Sequence, residues 1–562
     1  MSRVARPGGF PSCLSLITSH SQRLALPLPR SSTFSRVHIT HSAQLSPRSS
    51  VIHFRIHDPN ALRVLNDPTL GRRWDLRSAY LVGPDAKPMR GAIEERDGHI
   101  YCESAQDAPV GIAMLVDTKS AGRLVLQTCF LPSRDEPYDL FIEIARWLIK
   151  QFVEECETWQ MWNPTLSGDA FAKWDAARDE FRAALRELDP VRAEVLAQRS
   201  IELGLEAGEL MAIRHSSHLV ARRFVRKAPS ATTLGVCVDP RLAPNAASAA
   251  AARQFDVIAL RAPWELIEPT PGKYDWSAVD AWAKWAHSEK KALIIGPIID
   301  FGTTNGVPNG LPAHALAARN DHQRLRALIW AQARAVAARY QQVTPLFLAA
   351  SGSNCAGWHV EGIDRMIEWT RTAVVAIRDA KRDARVVVEI QSPAAESWRG
   401  VKGGSWPTAF LQKLVTENLS LTAAGVRFTQ GGNADPVRDL MTIGGLLDGY
   451  IGRELPIFVT AFGVPSASTA TAHLDRGAWH APEGWTPSAQ ANWGEAMLRV
   501  SLARAFVEGA WWSRLQDAPG GPTDGVLDVQ GRAKPVLDRL IALRRELARA
   551  TSKVAAGGGH AG

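Results

Sequence analysis

From about residue 230 onward, apolar positions gather into short runs separated by longer amphipathic stretches. Eight runs stand out: Thr233 to Val238, Val257 to Leu260, Ala292 to Ile299, Leu346 to Ala350, Arg385 to Ile390, Gly425 to Thr429, Pro456 to Thr460 and Gly509 to Trp512. Each is too short for a buried helix and is followed by a helical period, which predicts βα units around a parallel sheet. Eight such units over residues 229–550 predict a (β/α)8 TIM barrel of the α/β class. In that architecture functional groups gather where the strands end.

Upstream the period changes twice. Between residues 51 and 135, short alternating runs (Val51 to Ile56, Ser78 to Val82, Gly91 to Glu95, Ile100 to Glu103, Gly111 to Val116, Leu124 to Phe130) predict a small β-sandwich-like domain. Asp97-Gly98 between two of them predicts a tight hairpin, because both turn residues must accept positive φ. Residues 136–228 read as a helical segment. Its stripes are Leu140, Ile144, Trp147, Leu148 and Phe152, then Phe171, Trp174, Phe181 and Leu185, then Val191 to Ile213 after an Asp189-Pro190 start signal. Aromatic stripes at this spacing read as core. Residues 1–50 lack acids and periodicity and predict a disordered leader, and residues 551–562 a disordered tail.

Composition adds limits. With 562 residues, 46% apolar and 22% charged, the chain has an ordinary globular make-up. The net charge is +8, but Arg3, Arg6, Arg23, Arg30, Arg36, Arg48 and Arg55 all precede the first acid, Asp58, which leaves +1 for the remainder. The folded body therefore gives no reason to expect a nucleic-acid partner. No run of about 18 apolar residues predicts a membrane span. Cys13, Cys102, Cys129, Cys156, Cys237 and Cys355 form no CxxC pair and no zinc-ligand spacing, so neither a metal nor a disulfide framework is expected. They read as small core residues of a reducing compartment. With no convincing signal peptide, the cytoplasm is favoured over export.

After the second run the chain reads Trp264, Glu265, Leu266, Ile267, Glu268, Pro269, then Gly272, Lys273, Tyr274, Asp275, Trp276 and Asp280. Glu268-Pro269 ends a loop, Gly272 permits a tight turn, and Tyr274 with Trp276 anchors the return to the outer helix. This order resembles glycoside hydrolase family 10, the endo-xylanase family. Pro456 to Thr460 resembles that family's seventh strand, and Gly509 to Trp512 with Gly525 to Asp528 and Lys534-Pro535 its eighth strand and closing helix. The resemblance covers roughly residues 230 to 545 and does not extend into the first 229.

The resemblance implies an O-glycosyl hydrolase acting on a xylan-like plant polysaccharide through two glutamates roughly 5.5 Å apart. The sequence departs from the pattern at both. The nucleophile should follow a threonine at the end of the seventh strand, but Thr460 is followed by Ala461 and Phe462. The acid/base should follow an asparagine at the end of the fourth, but Ala349, Ala350, Ser351, Gly352, Ser353, Asn354 and Cys355 hold no carboxylate. The family's glycone-binding residues before the Trp correspond to Ala259, Leu260 and Pro263. Impaired or rearranged catalysis is the expectation.

Other acids near predicted strand ends are Asp239, Glu265, Asp300, Glu389 and Asp517. A pair about 6.5–9.5 Å apart would suit an inverting reaction. Asp239, Glu265 and Asp517 also read as turn, cap or solvated loop residues. Asp300 ends an apolar run and Glu389 lies inside one, where a carboxylate needs a partner. These two are the candidate catalytic residues, with salt bridging as the equal alternative. Candidate sugar-binding residues are Trp264, Glu265, Asn354, Gln391, Gln430, Trp512 and Asp517, with core filling or satisfied loop contacts as their alternatives. Trp398, Trp406, Trp479, Trp485 and Trp511 carry the same ambiguity.

The expected partner is an oligo- or polysaccharide, with no cofactor. Three readings stay open: a hydrolase with repositioned acids, a catalytically inactive carbohydrate-binding barrel, and a scaffold for protein contacts. A mouth blocked by Phe301 to Asn305 or by Ala467 to Gly484 would favour the last.

Overall fold

The C-terminal strands close on themselves. In order around the ring they are Leu234–Val238, Val257–Leu260, Ala292–Ile295, Leu346–Ser351, Arg385–Ile390, Ala423–Thr429, Ile457–Gly463 and Val507–Trp512, all parallel. The third continues as Ile299–Asp300 beyond the cis Gly296–Pro297 bond. The eighth strand pairs with the first through Ala510, Trp511 and Trp512 against Leu234, Gly235 and Val236. This is a closed eight-stranded (β/α)8 barrel. The computed structural model describes residues 50–57, 74–84, 87–226, 233–304, 307–308, 310–355, 362–395, 405–451, 455–468 and 476–557. The expected leader up to residue 49, Trp398, and parts of the two segments named as mouth blockers lie outside them.

Inside the barrel, alternate residues of each strand point inward. Cys237, Val257, Ala259, Ile294, Leu346, Val387, Ala423, Phe458, Ala461 and Trp511 form one cluster, with Phe458 and Trp511 rings stacked 5.2 Å apart. The large indole fits because Gly235 faces it. A Cβ on Gly235 would lie 2.4 Å from Trp511 Cδ1 and 2.9 Å from Val257 Cβ.

Before the barrel come two mainly antiparallel sheets, the first with one parallel pairing, Ser50–Arg55 on Tyr138–Asp139. One orders Gly91–Arg96, His99–Ser104, Ser50–Arg55 and Tyr138–Asp139. Its hairpin turns at Asp97 and Gly98, with φ of 49° and 76°. The other orders Gly122–Gln127, Gly111–Asp117, Trp74–Val82 and Pro88–Met89, and takes its outer strand, Ala478–Trp479, from the barrel. Helices Leu140–Thr158, Ala170–Arg186 and Pro190–Arg226 follow. The last, of 37 residues, outruns the expected Val191 to Ile213 because Val220 and Phe224 continue its buried face. The closing helix Pro535–Gly557 likewise extends into the segment expected as a tail.

These regions share a continuous apolar core with the barrel, and Pro47–Gly562 forms one unit. The seam between helices and barrel also carries polar contacts. Trp159 Nε1 donates to Asp448 (2.9 Å), Arg504 pairs with Asp448 (2.8 Å), and Arg223 donates to the carbonyls of Leu502, Arg504 and Val507. Glu209 Oε1 accepts from Leu440 N (3.0 Å) and Trp479 Nε1 (2.9 Å), while its Oε2 is buried without a partner. Burial, aided by Asp439, pushes the Glu209 pKa up to about 8. Among the described residues no helix is long and apolar enough to cross a membrane. Cys102, Cys129, Cys156 and Cys237 are free thiols.

Two outcomes follow for stability. Gly235→Ala is expected to cost roughly 1–3 kcal/mol through overpacking against Trp511, read as a lowered urea midpoint. Glu209 is protonated in the folded state between its ordinary value of 4.5 and about 8, where the unfolded chain has lost that proton. Its contribution to stability therefore falls across that window by roughly 1.4 kcal/mol per pH unit and is flat above it. Glu209→Gln should remove this slope, so that melting curves of variant and wild type diverge steadily from pH 5 to 8 in favour of the variant.

Candidate functional site

Above the apolar cluster, toward the strand C-termini, the barrel interior turns polar. Glu389, on the fifth strand two residues beyond inward-facing Val387, is 1% exposed. It accepts hydrogen bonds from Ser351 Oγ of the fourth strand (2.5 Å) and Thr460 Oγ1 of the seventh (2.6 Å). Arg427 Nη2 of the sixth strand lies 2.8 Å from its Oε1. Burial alone would push the Glu389 pKa up, but Arg427, the two hydroxyls and Arg261 outweigh it and hold the carboxyl below its usual range. Burial likewise opposes the Arg427 charge, and Glu389 followed by Asp300 more than offsets that.

A general acid needs the opposite setting, a carboxyl whose pKa is raised so that it keeps its proton at neutral pH. Glu389 is instead an ionised, fully solvated-by-protein carboxylate. The salt-bridging alternative is the one its surroundings present.

Asp300 ends the third strand, and its Oδ1 accepts from Gly302 N (2.9 Å) and Gln391 Nε2 (3.3 Å). The same Gln391 nitrogen donates to Ser351 Oγ at 2.7 Å, and Ser351 in turn donates to Glu389. The two candidate acids are thus the ends of one hydrogen-bonded chain. Amide and hydroxyl groups occupy the path between them.

The remaining candidates are distributed among separate contacts. Trp264 is buried, and its indole donates to Glu268 Oε2 (2.7 Å) while Gly272 N donates to Glu268 Oε1 (2.7 Å), so the Trp-Glu-Pro-Gly motif closes its own loop. Tyr274 and Trp276 stack 5.2 Å apart to complete it. Glu265 pairs with Arg241, which also reaches Asp239. Asn354 clamps the fifth strand's end, donating to Gln391 O (2.8 Å) and accepting from Gln391 N (3.1 Å). Gln430 is buried, with its main-chain N–H on Gly463 O and its side-chain oxygen unpartnered. Trp512 is fully buried and donates to Asp524 O (2.6 Å). Asp517 accepts from Gly525 N (2.7 Å) and pairs with Lys534 (2.5 Å).

Corrections follow for the aromatic residues. Trp264, Trp479, Trp485, Trp511 and Trp512 are core side chains that cannot offer an open face to a sugar. Trp406, capping helix Pro407–Thr416, is the half-buried exception among those described.

Sequence reasoning missed the arginines. Arg427 lies in a run read as simply apolar, yet Ala423, Gly425 and Arg427 share the inward parity, and two small residues leave room for a long third. Arg261 directly follows the second strand, at the parity of Val257 and Ala259. Arg514 pairs with Asp524 at 2.7 Å. Among the described residues no group of His, Cys, Asp and Glu is arranged to hold a metal ion.

No protein-family model matches the chain, and no curated protein matches it in sequence. Among solved structures, it is similar to xylanase 10B from Thermotoga petrophila RKU-1 in complex with xylobiose, at 13% identity and TM-score 0.42 over 60% of this chain and 97% of that one. Native xylanase 10B from Thermotoga maritima gives 13% identity and TM-score 0.43 over 60% and 98%. A GH10 structure from Paenibacillus barcinonensis gives 16% and 0.42 over 57% and 97%.

The Arg427–Glu389 pair invites a double-mutant cycle. Arg427→Met or Glu389→Gln alone strands a buried partner and is expected to cost roughly 3–5 kcal/mol. The double variant should lose clearly less than the sum of the two, measured as urea midpoints at constant slope.

Proposed function

We propose that the protein is a glycoside-hydrolase-like barrel that binds saccharide at its strand C-termini and is impaired in hydrolysis by a carboxylate pair. The observation that carries this reading is the state of Glu389. Glu389, at the end of the fifth strand, is 1% exposed, ion-paired to Arg427 and hydrogen-bonded by Ser351 and Thr460. Where the resembled family has its nucleophile stands Ala461, a member of the apolar cluster. Retaining and inverting reactions both need an open gap between two carboxyl groups for sugar or water. Between Asp300 and Glu389 that path is occupied by Gln391 and Ser351.

Saccharide as the ligand rests on the resemblance of residues 230 to 545, and a xylan-like polymer is its finer form. The location supports it, since barrel proteins place their ligands at this end. Loss of a nucleophile or an acid removes a group whose position solvent cannot reproduce.

Calorimetry of the full chain against xylo-, gluco- and manno-oligosaccharides, with product analysis of the same samples, tests both halves. Binding to the xylo-series with no new reducing ends is expected. Reducing ends that form with wild type and vanish with Glu389→Gln would overturn the impairment. Silence across this neutral panel would overturn the xylan-like form, and silence with an acidic oligosaccharide as well would overturn saccharide binding and leave the scaffold reading.

A further inference from the structure

Among the described residues, the charged side chains around the barrel mouth form ion pairs except Arg261 and Asp300, and Asp300 is held by Gly302 N and Gln391 Nε2. Arg427 holds Glu389, Arg514 holds Asp524, Lys534 holds Asp517, and Arg241 holds Asp239 and Glu265. Arg261 is half-buried at the end of the second strand, and its main-chain N–H donates to Val238 O. Among the described residues, no acceptor takes a hydrogen bond from its guanidinium and no acid forms an ion pair with it. A guanidinium carries five N–H donors, and none of the Arg261 nitrogens is shut off from solvent, so a ligand at the mouth can reach them.

We propose that Arg261 receives the carboxylate of an acidic, uronate-type saccharide, a ligand class that rests on the reading of the mouth as a saccharide site. Its surroundings favour an anion. Burial disfavours the Arg261 charge, and the nearby Arg427 adds repulsion, as does Arg514, while Asp300 offsets them least. Cys237, the other neighbour, is a neutral thiol at physiological pH, since burial pushes its pKa up to about 11. Arginine's planar fork matches a carboxylate in two parallel hydrogen bonds.

The test uses calorimetry on the full chain with trigalacturonate, its neutral methyl ester, xylotriose and inorganic phosphate, for wild type, Arg261→Gln and Arg261→Lys. The uronate is expected to bind roughly tenfold or more tightly than its ester, and less so at high salt. Arg261→Gln should bring it to the ester's level, and Arg261→Lys should keep part of the preference, because it retains charge without the fork. Arg261→Gln should melt no lower than wild type, since it removes an unpaired charge. Equal binding of uronate and ester, unchanged in the variants, overturns the inference while leaving saccharide binding intact. Arg261-dependent binding of phosphate at least as tight as uronate overturns the carboxylate assignment. Phosphate binding with no sugar bound overturns the saccharide reading instead.

Discussion

Arg427 and Glu389 face one another inside a closed parallel barrel, above an apolar cluster and within a network of two hydroxyls, with a second guanidinium, Arg261, nearby. A charge in that position is tolerable only if its partner and hydrogen bonds are all in place. Ser351, Glu389, Arg427 and Thr460 come from four consecutive strands, so the network ties the fourth to the seventh strand across their C-terminal halves. Backbone pairing alone would hold those strands in register. The side chains add a condition on which residues may stand at each strand end, and Gly425 meets part of it, since a Cβ there would lie 2.7 Å from Thr460 Cγ2. The same condition that secures the barrel removes Glu389 from the kind of environment in which a carboxyl exchanges protons with substrate.

Much of the architecture was legible in the sequence, for a physical reason. Strands of a parallel barrel are covered on both faces, so they appear as unbroken apolar runs such as Val257–Leu260 and Arg385–Ile390, whose limits match the reading. Asp97-Gly98 was legible because few residues accept its backbone angles. Elements fixed by tertiary pairing were not. Ala478–Trp479 is two residues long and exists only because Gly122–Gln127 offers it an edge.

The site was legible in part. Glu389 could be recognised as an acid that needed a partner, but the partner sits on another strand inside a run whose average character hides it. Tryptophans misled for a related reason. Trp264 and Trp512 stand beside loop residues in sequence, and their indole N–H groups reach Glu268 and the Asp524 carbonyl from buried positions. Linear context does not distinguish an indole that faces solvent from one whose polar edge is satisfied within the core.

The N-terminal sheet and the barrel are joined through the barrel's sixth and seventh strand-to-helix connections. Val125 N donates to Val437 O, His480 N to Ala121 O, and Ala478 pairs with Arg123. Such connections are where barrel proteins usually accept insertions and change their repertoire. Here two of the eight are stitched into a neighbouring sheet, where lengthening either would disturb strand pairing far from any ligand. Insertions at this rim would therefore disturb the fold least in the opposite arc, the connections after the second to fifth strands. The ancillary region acts as a brace that makes an otherwise symmetric scaffold permissive on one side only.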